Sequence, residues 1–334
     1  MDTCSSSMSK MIANTSVTDE SSAQDIEMYI SSLPQQPSWR PSLNLYKYQG
    51  FWCYSDFIKG IILFQKNFIP QPNDILLCSI PKSGTTWVKS LSVAISTRSK
   101  FPGSDPNSTA NPLLTKLPHE IVLNQELFHR LGHERDIQNP LISTHVPFDS
   151  LPKSILNSNT KIIYVCRNPK DVLVSLWHFS CNKQAETITF GEAYEMFCNG
   201  VLNYGPYWDH VLGYWKASLE FPDRILFLKY EDLKNDGCLY VKKMADFMGC
   251  PFSVDEEEQG IVEKIVKLCS FESLSNLEVN KSKNTPKHYP IKMENNVFFR
   301  KGEVGDWKNY LTVEMAEKLD QIIEEKFSGS GLSV

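Results

Sequence analysis

The sequence lacks the features that would place it in several common classes. Its nine cysteines are scattered and none forms a C-x-x-C pair, so neither a zinc site nor a disulfide framework is indicated. No signal-peptide h-region and no long apolar run occurs, so we expect neither secretion nor membrane insertion, but a cytoplasmic location. The net charge of −5, from 34 basic and 39 acidic residues, argues against general binding of nucleic acid.

Three familiar motifs are also missing. The Walker A pattern G-x-x-x-x-G-K-[ST] is absent, and so are the dinucleotide pattern G-x-G-x-x-G and the zinc-protease pattern H-E-x-x-H. Magnesium-dependent phosphate chemistry would also need carboxylates after a strand. Asp232 is the one candidate that we identify, and a single acid is weak evidence for such a site. We therefore predict no metal site.

What the sequence does contain is ordinary globular composition, with 41% apolar and 22% charged residues among 334. Residues 1–24 are rich in Ser and Thr and predict a disordered tail. Residues 25–334 are predicted to form one domain. The segment 40–57 is aromatic and irregular, and 99–112 and 276–297 are loops by composition, the second long enough for a lid.

Apolar runs alternate with helical patterns along this domain. Strands are predicted over 75–80, 140–145, 161–166 and 225–228, and helices over 25–34, 55–68, 87–98, 117–132, 175–179, two stretches within 190–217, 239–249, 256–268 and 313–327. The strands are unbroken apolar runs, which is typical of a parallel sheet buried on both faces. The fold class is therefore α/β, a single domain with a central parallel sheet flanked by helices.

Residues 74–98 predict an anion site built from a strand, a tight turn and a helix. The free N–H groups and the dipole of a helix N-terminus favour an anion. Lys82 adds a positive charge, Gly84 lets the backbone approach a ligand, and three hydroxyls come from Ser83, Thr85 and Thr86. An ordinary capped connection between a strand and a helix is the alternative.

Other chemistry-bearing residues also follow predicted strands. His145 ends the second strand, Arg167 follows the third and Tyr230 follows the fourth. Because ligands bind at the carboxyl ends of parallel strands, we expect these side chains to share one rim with Lys82. For His145 the alternative is a buried histidine satisfied by the backbone, and His119 and His178 compete with it as candidate catalytic histidines.

Three segments together identify a family. P-K-S-G-T-T-W after the first strand, R-N-P-K-D-x-x-x-S after a later strand and R-K-G-x-x-G-D-W-K near the end resemble, in this order, the pattern of cytosolic sulfotransferases. The resemblance covers roughly residues 45–330. The segments SLWHF, KLCSFESLSNLEVNK and FFRKGEVGDW resemble the plant soluble branch.

The resemblance implies the co-substrate 3′-phosphoadenylyl sulfate, which leaves as adenosine 3′,5′-bisphosphate (PAP). The P-loop-like turn from Lys82 to Trp87 would hold the 5′-phosphosulfate, with Trp87 near the adenine. Tyr230 would contact the adenine, and Cys269 to Phe271 would approach the nucleotide. The 3′-phosphate would be bound by Arg167, Ser175, Arg300, Lys301 and Gly302. For Arg300 and Lys301 the alternative is a solvated pair of basic side chains.

The resemblance also implies the chemistry. His145 would be the general base that removes the proton of the acceptor hydroxyl. Lys82 would stabilise charge on the bridging oxygen of the departing bisphosphate. The chain departs from many animal relatives at Ser143, where they carry a lysine two residues before the catalytic histidine. Some other residue would then supply the contribution of that lysine, or its share here is smaller.

The acceptor is left open between flavonols and other flavonoids, steroids, jasmonates, desulfoglucosinolates and simple phenols. The aromatic run indicates only a small, partly apolar acceptor, and the loops 99–139, 181–190 and 276–297 would select among these classes. Arg40, His119 and Asn124 are candidate contacts for a polar or anionic acceptor. A phosphate-transferring kinase module and a catalytically inactive nucleotide-binding protein are the competing functions.

The start of the last helix resembles the short dimerisation stretch of animal relatives. It implies a homodimer through Lys308, Thr312, Val313 and Glu317. The alternative is that these residues are simply the exposed start of that helix.

Overall fold

The computed structural model describes residues 19–100, 111–132, 136–181, 188–281 and 294–334. Its strands are β1 (Gln35–Pro37), β2 (Asn44–Tyr48), β3 (Phe51–Tyr54), β4 (Ile75–Cys78), β5 (Leu141–Thr144), β6 (Lys161–Cys166) and β7 (Ile225–Lys229).

The helices fall in two groups along the chain. The first comprises α1 (Asp19–Ser31), α2 (Ser55–Asn67), α3 (Thr85–Thr97), α4 (Pro112–Thr115), α5 (Pro118–Ile121), α6 (Gln125–Arg130), α7 (Lys153–Leu156) and α8 (Pro169–Cys181). The second comprises α9 (Phe190–Cys198), α10 (Tyr207–Glu220), α11 (Tyr230–Asn235), α12 (Gly237–Met248), α13 (Val254–Glu258), α14 (Ile261–Leu268), α15 (Phe271–Asn276), α16 (Glu278–Lys281) and α17 (Val313–Phe327). Short 3₁₀ segments occupy Arg98–Lys100, Phe148–Ser150, Asn295–Phe298 and Asp306–Asn309.

The central sheet is parallel, with the strand order β5-β4-β6-β7. Its register places Leu77 of β4 opposite Ser143 of β5 and Ile163 of β6. Alternate residues of each strand face opposite cores. Leu76 and Ile162 pack in one core together with α2, α8 and α10, whereas Leu77 and Ile163 pack in the other with α3, α12 and α14. The predicted α/β class, a single domain with a parallel sheet flanked by helices, is confirmed.

A second, antiparallel sheet consists of β1, β2 and β3, and its strands β2 and β3 occupy the aromatic segment 40–57 that we predicted to be irregular. The turn between β2 and β3 is formed by Gln49 and Gly50, both with positive φ, 49° and 91°. Two such residues form the tight turn that matches the twist of a hairpin. The prediction of an irregular segment was wrong, because Gln at the first turn position hides the usual Asn-Gly or Asp-Gly signal.

Several predicted helix boundaries need correction. Helix α1 begins at Asp19 and therefore takes in residues 19–24 of the predicted tail, while the rest of that tail lies outside the described residues. The helix predicted over 117–132 is two helices, α5 and α6. Between them the Leu123 carbonyl accepts the Ser143 N–H at 3.0 Å, and Asn124 caps α6 through the Leu127 N–H. The helix predicted over 256–268 is interrupted at Gly260, whose φ is 67°.

The predicted loops are described only in part. Residues 101–110, 133–135, 182–187 and 282–293 lie outside the described residues, so the lid expected over 276–297 stays a prediction. Within that range, α16 and the segment Asn295–Phe298 are helical.

Candidate active site

The four strands of the central sheet end at one rim that borders a cavity of about 380 Å³. His145 follows β5, the turn from Pro81 to Gly84 follows β4, Arg167 follows β6, and Tyr230 follows β7. Lys82, His145, Arg167 and Tyr230 all line the cavity. The four side chains therefore share one rim, as the strand ends led us to expect, while the role of each side chain stays a prediction.

The turn between β4 and α3 has an unusual backbone. Lys82 has a φ of 71° and Gly84, the N-cap of α3, a φ of 107°. A Cβ at Gly84 would lie 2.8 Å from the Tyr230 ring, so this position requires glycine for space as well as for conformation. The Thr85 hydroxyl bonds the Ser79 hydroxyl at 2.7 Å beneath the turn. Ser83 is fully buried and, unlike its neighbours on either side, is not among the cavity-lining residues.

The Lys82 ammonium is half-buried in a strongly positive environment. Its Nζ donates to the Val297 carbonyl at 3.4 Å and lies 4.4 Å from the centre of the Phe179 ring. Burial, with the charges of Arg300 and Arg167 adding to it, lowers the Lys82 pKa to about 7. A buried charge is unfavourable without a counter-ion, so an anion in the cavity would stabilise the charged form.

A second group of donors lines the cavity, close enough for the charges of Arg167 and Arg300 to act on Lys82. Arg167 donates through Nη2 to the Glu303 carbonyl at 2.5 Å, and its guanidinium lies 4.6 Å from the centre of the Tyr230 ring. Ser175 on α8 and Gly302 also line the cavity. A Cβ at Gly302 would lie 2.5 Å from the Phe271 ring, and its φ is 67°. The predicted 3′-phosphate residues are therefore brought together.

Three members of this group have an acidic partner, and Arg167 Nη2 lies 3.6 Å from the buried Asp171 carboxylate. Arg300 and Lys301 both donate to the Asp306 carboxylate, at 2.5 and 2.6 Å. Burial raises the pKa of Asp306, but the hydrogen bonds from Lys301, Arg300 and Asn309 prevail and hold it at about 2. Arg300 Nε is buried and has no hydrogen-bond partner among the described residues, whereas the Lys301 side chain is 41% exposed. The pair is thus tethered to an acid, and is not the free solvated pair that the sequence left open.

The hydrogen bonds of His145 determine which of its nitrogens is a base. Nδ1 lies 2.7 Å from the Ser79 carbonyl, which can only accept, so Nδ1 carries the proton and Nε2 is unprotonated in the neutral ring. Burial lowers the pKa of His145, although Glu126 and the Ser79 carbonyl oppose this. The ring is also packed against Tyr204, with centroids 5.6 Å apart. His145 is therefore held as a neutral imidazole with an available lone pair.

Glu126 supports this arrangement, and no motif in the sequence pointed to it. The carboxylate is fully buried and accepts the His145 main-chain N–H at 2.9 Å and the Tyr204 hydroxyl at 3.0 Å. It also accepts the Thr144 hydroxyl at 2.7 Å and the Asn124 amide at 2.8 Å. These four hydrogen bonds hold in place the segment that carries His145.

His119 and Lys89 form a second buried group along the cavity. His119 Nε2 lies 2.9 Å from the Thr86 hydroxyl, and Nδ1 lies 3.1 Å from Lys89 Nζ. Both ring nitrogens of His119 are thus engaged, which separates it from His145 as a candidate base. His178 is not among the cavity-lining residues and packs against Tyr310, with centroids 5.1 Å apart.

The remaining wall of the cavity is aromatic. Trp39, Tyr54, Phe57 and Tyr204 line it, together with Arg40 and Asn124. From the predicted aromatic run, Tyr46, Tyr48, Phe51 and Trp52 do not line the cavity. Tyr48 packs in the core of α2, and Trp52 packs with Leu45 and Val201. Trp87 and Tyr230 form an edge-to-face pair in the cavity lining, with centroids 5.3 Å apart, and Cys269 to Phe271 also reach the cavity.

The described residues contain neither a membrane-spanning helix nor a cluster of metal ligands. No helix among them is long and apolar enough to cross a membrane. No group of three His, Cys, Asp or Glu side chains in that part of the chain could hold a metal ion, and a reaction without a metal stays a prediction.

Comparison with known proteins adds three findings. The protein-family model of the sulfotransferase domain matches residues 72–331 of this chain. A flavonol 4′-sulfotransferase of Flaveria chlorifolia is 49% identical, covering 91% of this chain and 95% of the relative. The cytosolic sulfotransferase 17 of Arabidopsis thaliana is 45% identical, covering 93% and 91% respectively.

Solved structures agree with these matches. A putative steroid sulphotransferase of Arabidopsis thaliana is 36% identical with a TM-score of 0.74, covering 96% of this chain and 99% of that one. A mouse sulfotransferase solved with PAP is 27% identical with a TM-score of 0.65, covering 86% and 95%.

Proposed function

The chain belongs to the sulfotransferase family, and on this premise we propose that it sulfates a hydroxyl of a planar, partly apolar phenol of the flavonol class. As a member of the family it uses 3′-phosphoadenylyl sulfate as co-substrate and transfers the sulfuryl group to a small hydroxylated metabolite. The acceptor class, the residue roles, the oligomeric state and the location are the proposed part.

The donor groups of the cavity fit the nucleotide. 3′-Phosphoadenylyl sulfate carries anionic groups at two separate ends, and the cavity is lined by the cations Lys82, Arg167 and Arg300. Arg167 Nε and Arg300 Nε are buried donors without a partner among the described residues, and an oxyanion would satisfy them. The contacting rings of Trp87 and Tyr230 would together form a surface for the adenine, and Trp87 Nε1 is a further buried donor that the described part of the chain leaves unpaired.

The observation that carries the proposal is the tautomer of His145, a residue that lines the cavity. The Nδ1–H of His145 donates to the Ser79 carbonyl, so Nε2 carries a lone pair and can act as a base. In the proposed reaction, His145 Nε2 takes the proton of the acceptor hydroxyl while that oxygen forms a bond to sulfur. Lys82 donates a hydrogen bond to the oxygen whose bond to sulfur breaks, and this oxygen stays with the bisphosphate.

The aromatic wall supports a flat acceptor. Trp39, Tyr54, Phe57 and Tyr204 provide ring faces and edges against which a planar aromatic metabolite would stack. Asn124 and Arg40 add polar groups at this end, as expected for an acceptor with several hydroxyls. The relatives named after flavonols favour this class over steroids, jasmonates and desulfoglucosinolates.

The decisive experiment supplies labelled 3′-phosphoadenylyl sulfate with matched panels of flavonols, simple phenols, steroids and hydroxyjasmonates. Flavonols should give the highest kcat/KM, and a steroid preference would contradict the proposal. Binding of PAP with and without magnesium tests the kinase alternative separately. Tight binding of PAP without magnesium would support sulfuryl transfer, whereas a preference for magnesium-ATP over PAP would contradict sulfuryl transfer.

Three broader features belong to the same proposal. The domain extends over residues 25–334 together with residues 19–24 of α1, and the location is cytosolic, in line with the relatives named cytosolic. The proposed homodimer uses Lys308, Thr312, Val313 and Glu317. Val313 supports it, because it is 69% exposed at the start of α17, where Thr312 caps the helix. Sedimentation of the full chain would detect the dimer.

A further inference from the structure

Lys89 is a buried lysine on α3, close to the turn that starts at Lys82, and none of the sequence motifs gives it a role. It lies three residues after Thr86 on α3, so both side chains share one face of that helix. Its exposed fraction is only 1%, yet it lines the cavity. Nζ donates to the Val122 carbonyl at 2.9 Å and contacts His119 Nδ1 at 3.1 Å. A lysine buried this deeply persists only where its donors are matched.

The direction of each hydrogen bond in this group follows from the ammonium. In its charged form, which prevails below its pKa of about 7, Lys89 can only donate, so His119 Nδ1 must accept and the ring hydrogen must lie on Nε2. Nε2 then donates to the Thr86 oxygen at 2.9 Å. With its oxygen accepting from His119, the Thr86 hydroxyl has its own hydrogen to give to another group. Thr86 lines the cavity, so an anion there can receive it.

We propose that Lys89 and His119 are positioning residues that hold the Thr86 hydroxyl as a donor toward the 5′ anionic end of the nucleotide. This inference rests on the proposed function. Without a charged donor at position 89, His119 can carry its hydrogen on Nδ1 and accept from Thr86 through Nε2. The Thr86 hydrogen then points at His119 and is lost to the nucleotide.

His119 is suited to this relay. Burial, together with the nearby charge of Lys89, lowers its pKa well below 6.5, so the ring is neutral and exists as one tautomer or the other. Its ring stacks on Phe298, with centroids 4.3 Å apart and an interplanar angle of 30°. The stacking fixes the plane of the ring, so that the tautomer decides the direction of the bond to Thr86.

Ser143, where the chain departs from animal relatives, contacts the same short segment as Lys89. The Ser143 hydroxyl donates to the Leu123 carbonyl at 3.1 Å and brings no charge. Lys89 donates to the carbonyl of Val122, the preceding residue. Lys89 therefore places a positive charge beside the same short segment, from helix α3, where Ser143 on β5 supplies none.

A double-mutant cycle tests the inference with PAP as the ligand. Lys89→Met should weaken PAP binding about tenfold or more, the usual cost of losing a hydrogen bond to a charged group, and Thr86→Val should weaken it similarly. The double variant should bind no more weakly than Thr86→Val alone, since Lys89 then has no hydroxyl to orient. Lys161→Met is the matched control, because that lysine also donates to a main-chain carbonyl, that of Phe247, but lies outside the cavity.

The histidine variants cover the case in which Lys89→Met does not fold. His119→Gln keeps one acceptor and one donor and should retain PAP affinity within about threefold, whereas His119→Phe should lose as much as Thr86→Val. Additive losses in the cycle, wild-type affinity in folded Lys89→Met, or equal losses for Gln and Phe would each overturn the inference. If the wild-type chain does not bind PAP at all, the proposed function fails, and this inference fails with it.

Discussion

The low pKa of Lys82 leads to a quantitative prediction for nucleotide binding. Burial and two neighbouring arginines lower this pKa to about 7, from an ordinary value of 10.5. A bound bisphosphate supplies the missing counter-charge and raises the pKa again. Binding above pH 7 therefore requires proton uptake, and the affinity should fall as the pH rises from 7 toward the pKa of the complex. Below pH 7 the lysine is already charged and this dependence should vanish.

The expected size of the effect follows from the shift. Each pH unit above 7 costs about 1.4 kcal/mol for one lysine that must be reprotonated, which is about a tenfold increase in Kd. At about pH 9 the Lys82 contribution alone amounts to about a hundredfold. Lys89, whose pKa burial also lowers to about 7, can contribute a second slope of the same size. Lys82→Met should bind more weakly at neutral pH and retain only the Lys89 slope.

Calorimetric titration with PAP measures this directly. Titrations from about pH 6.5 to about pH 9, in pairs of buffers with different ionisation enthalpies, give both Kd and the number of protons taken up. Lys161→Met serves as the control and should keep the wild-type slope. A Kd that is constant from pH 7 to 9, or binding without proton uptake, would show that Lys82 is charged in the free protein and would refute the reasoning.

Three further substitutions test the site. His145→Ala should reduce turnover by about a hundredfold to ten-thousandfold and leave PAP affinity nearly unchanged. The control His129→Gln, at a residue outside the cavity lining, should keep wild-type turnover. If His145→Ala retains wild-type turnover, His145 is not the base. Since burial lowers the His145 pKa from 6.5, the acid limb of kcat should lie below that pH. Arg167→Ala should raise the nucleotide KM about tenfold or more and leave the acceptor KM largely unchanged; an unaltered nucleotide KM would remove Arg167 from the site. Arg40 Nε is a buried donor without a partner among the described residues, so Arg40→Gln should lower kcat/KM about tenfold for acceptors with a remote anionic group and spare neutral analogues; equal losses for both would contradict this.

The parts of the fold that were predicted correctly depend on local pattern. Strands β4 and β6 are buried on both faces, so each appears as an uninterrupted apolar run whose end is easy to locate. The rule that ligands bind at the carboxyl ends of such strands then placed Lys82 and Arg167 together. The approach of a ligand to Gly84 stays a prediction, but the structure adds a second reason for glycine there, because the Tyr230 ring would lie 2.8 Å from a Cβ at that position.

The parts that were missed depend on contacts between distant segments. Glu126 lies in a polar helical pattern, where a carboxylate normally faces solvent. Its partners Thr144 and Tyr204 lie 18 and 78 residues away, and only the fold brings them together. Lys89 was overlooked for the same reason, because a lysine on a helix gives no local sign that it points inward. The hairpin of β2 and β3 was missed because its turn begins with Gln49.

The order of the strands in the sheet, which local sequence pattern does not reveal, decides which of the proposed site residues are neighbours. Along the chain the rim residues occur as Lys82, His145, Arg167 and Tyr230, but the sheet order β5-β4-β6-β7 exchanges the first two. The proposed base therefore lies at one edge of the sheet, next to the turn that holds the proposed leaving-group lysine, and the proposed phosphate and adenine contacts, Arg167 and Tyr230, follow on the other side. Neighbouring strands are about 5 Å apart, so His145 and Arg167 flank the turn at about that spacing on either side. Had β5 paired with β7 instead, the base would stand beside the adenine, and no acceptor hydroxyl could reach both His145 and the sulfur held at Lys82.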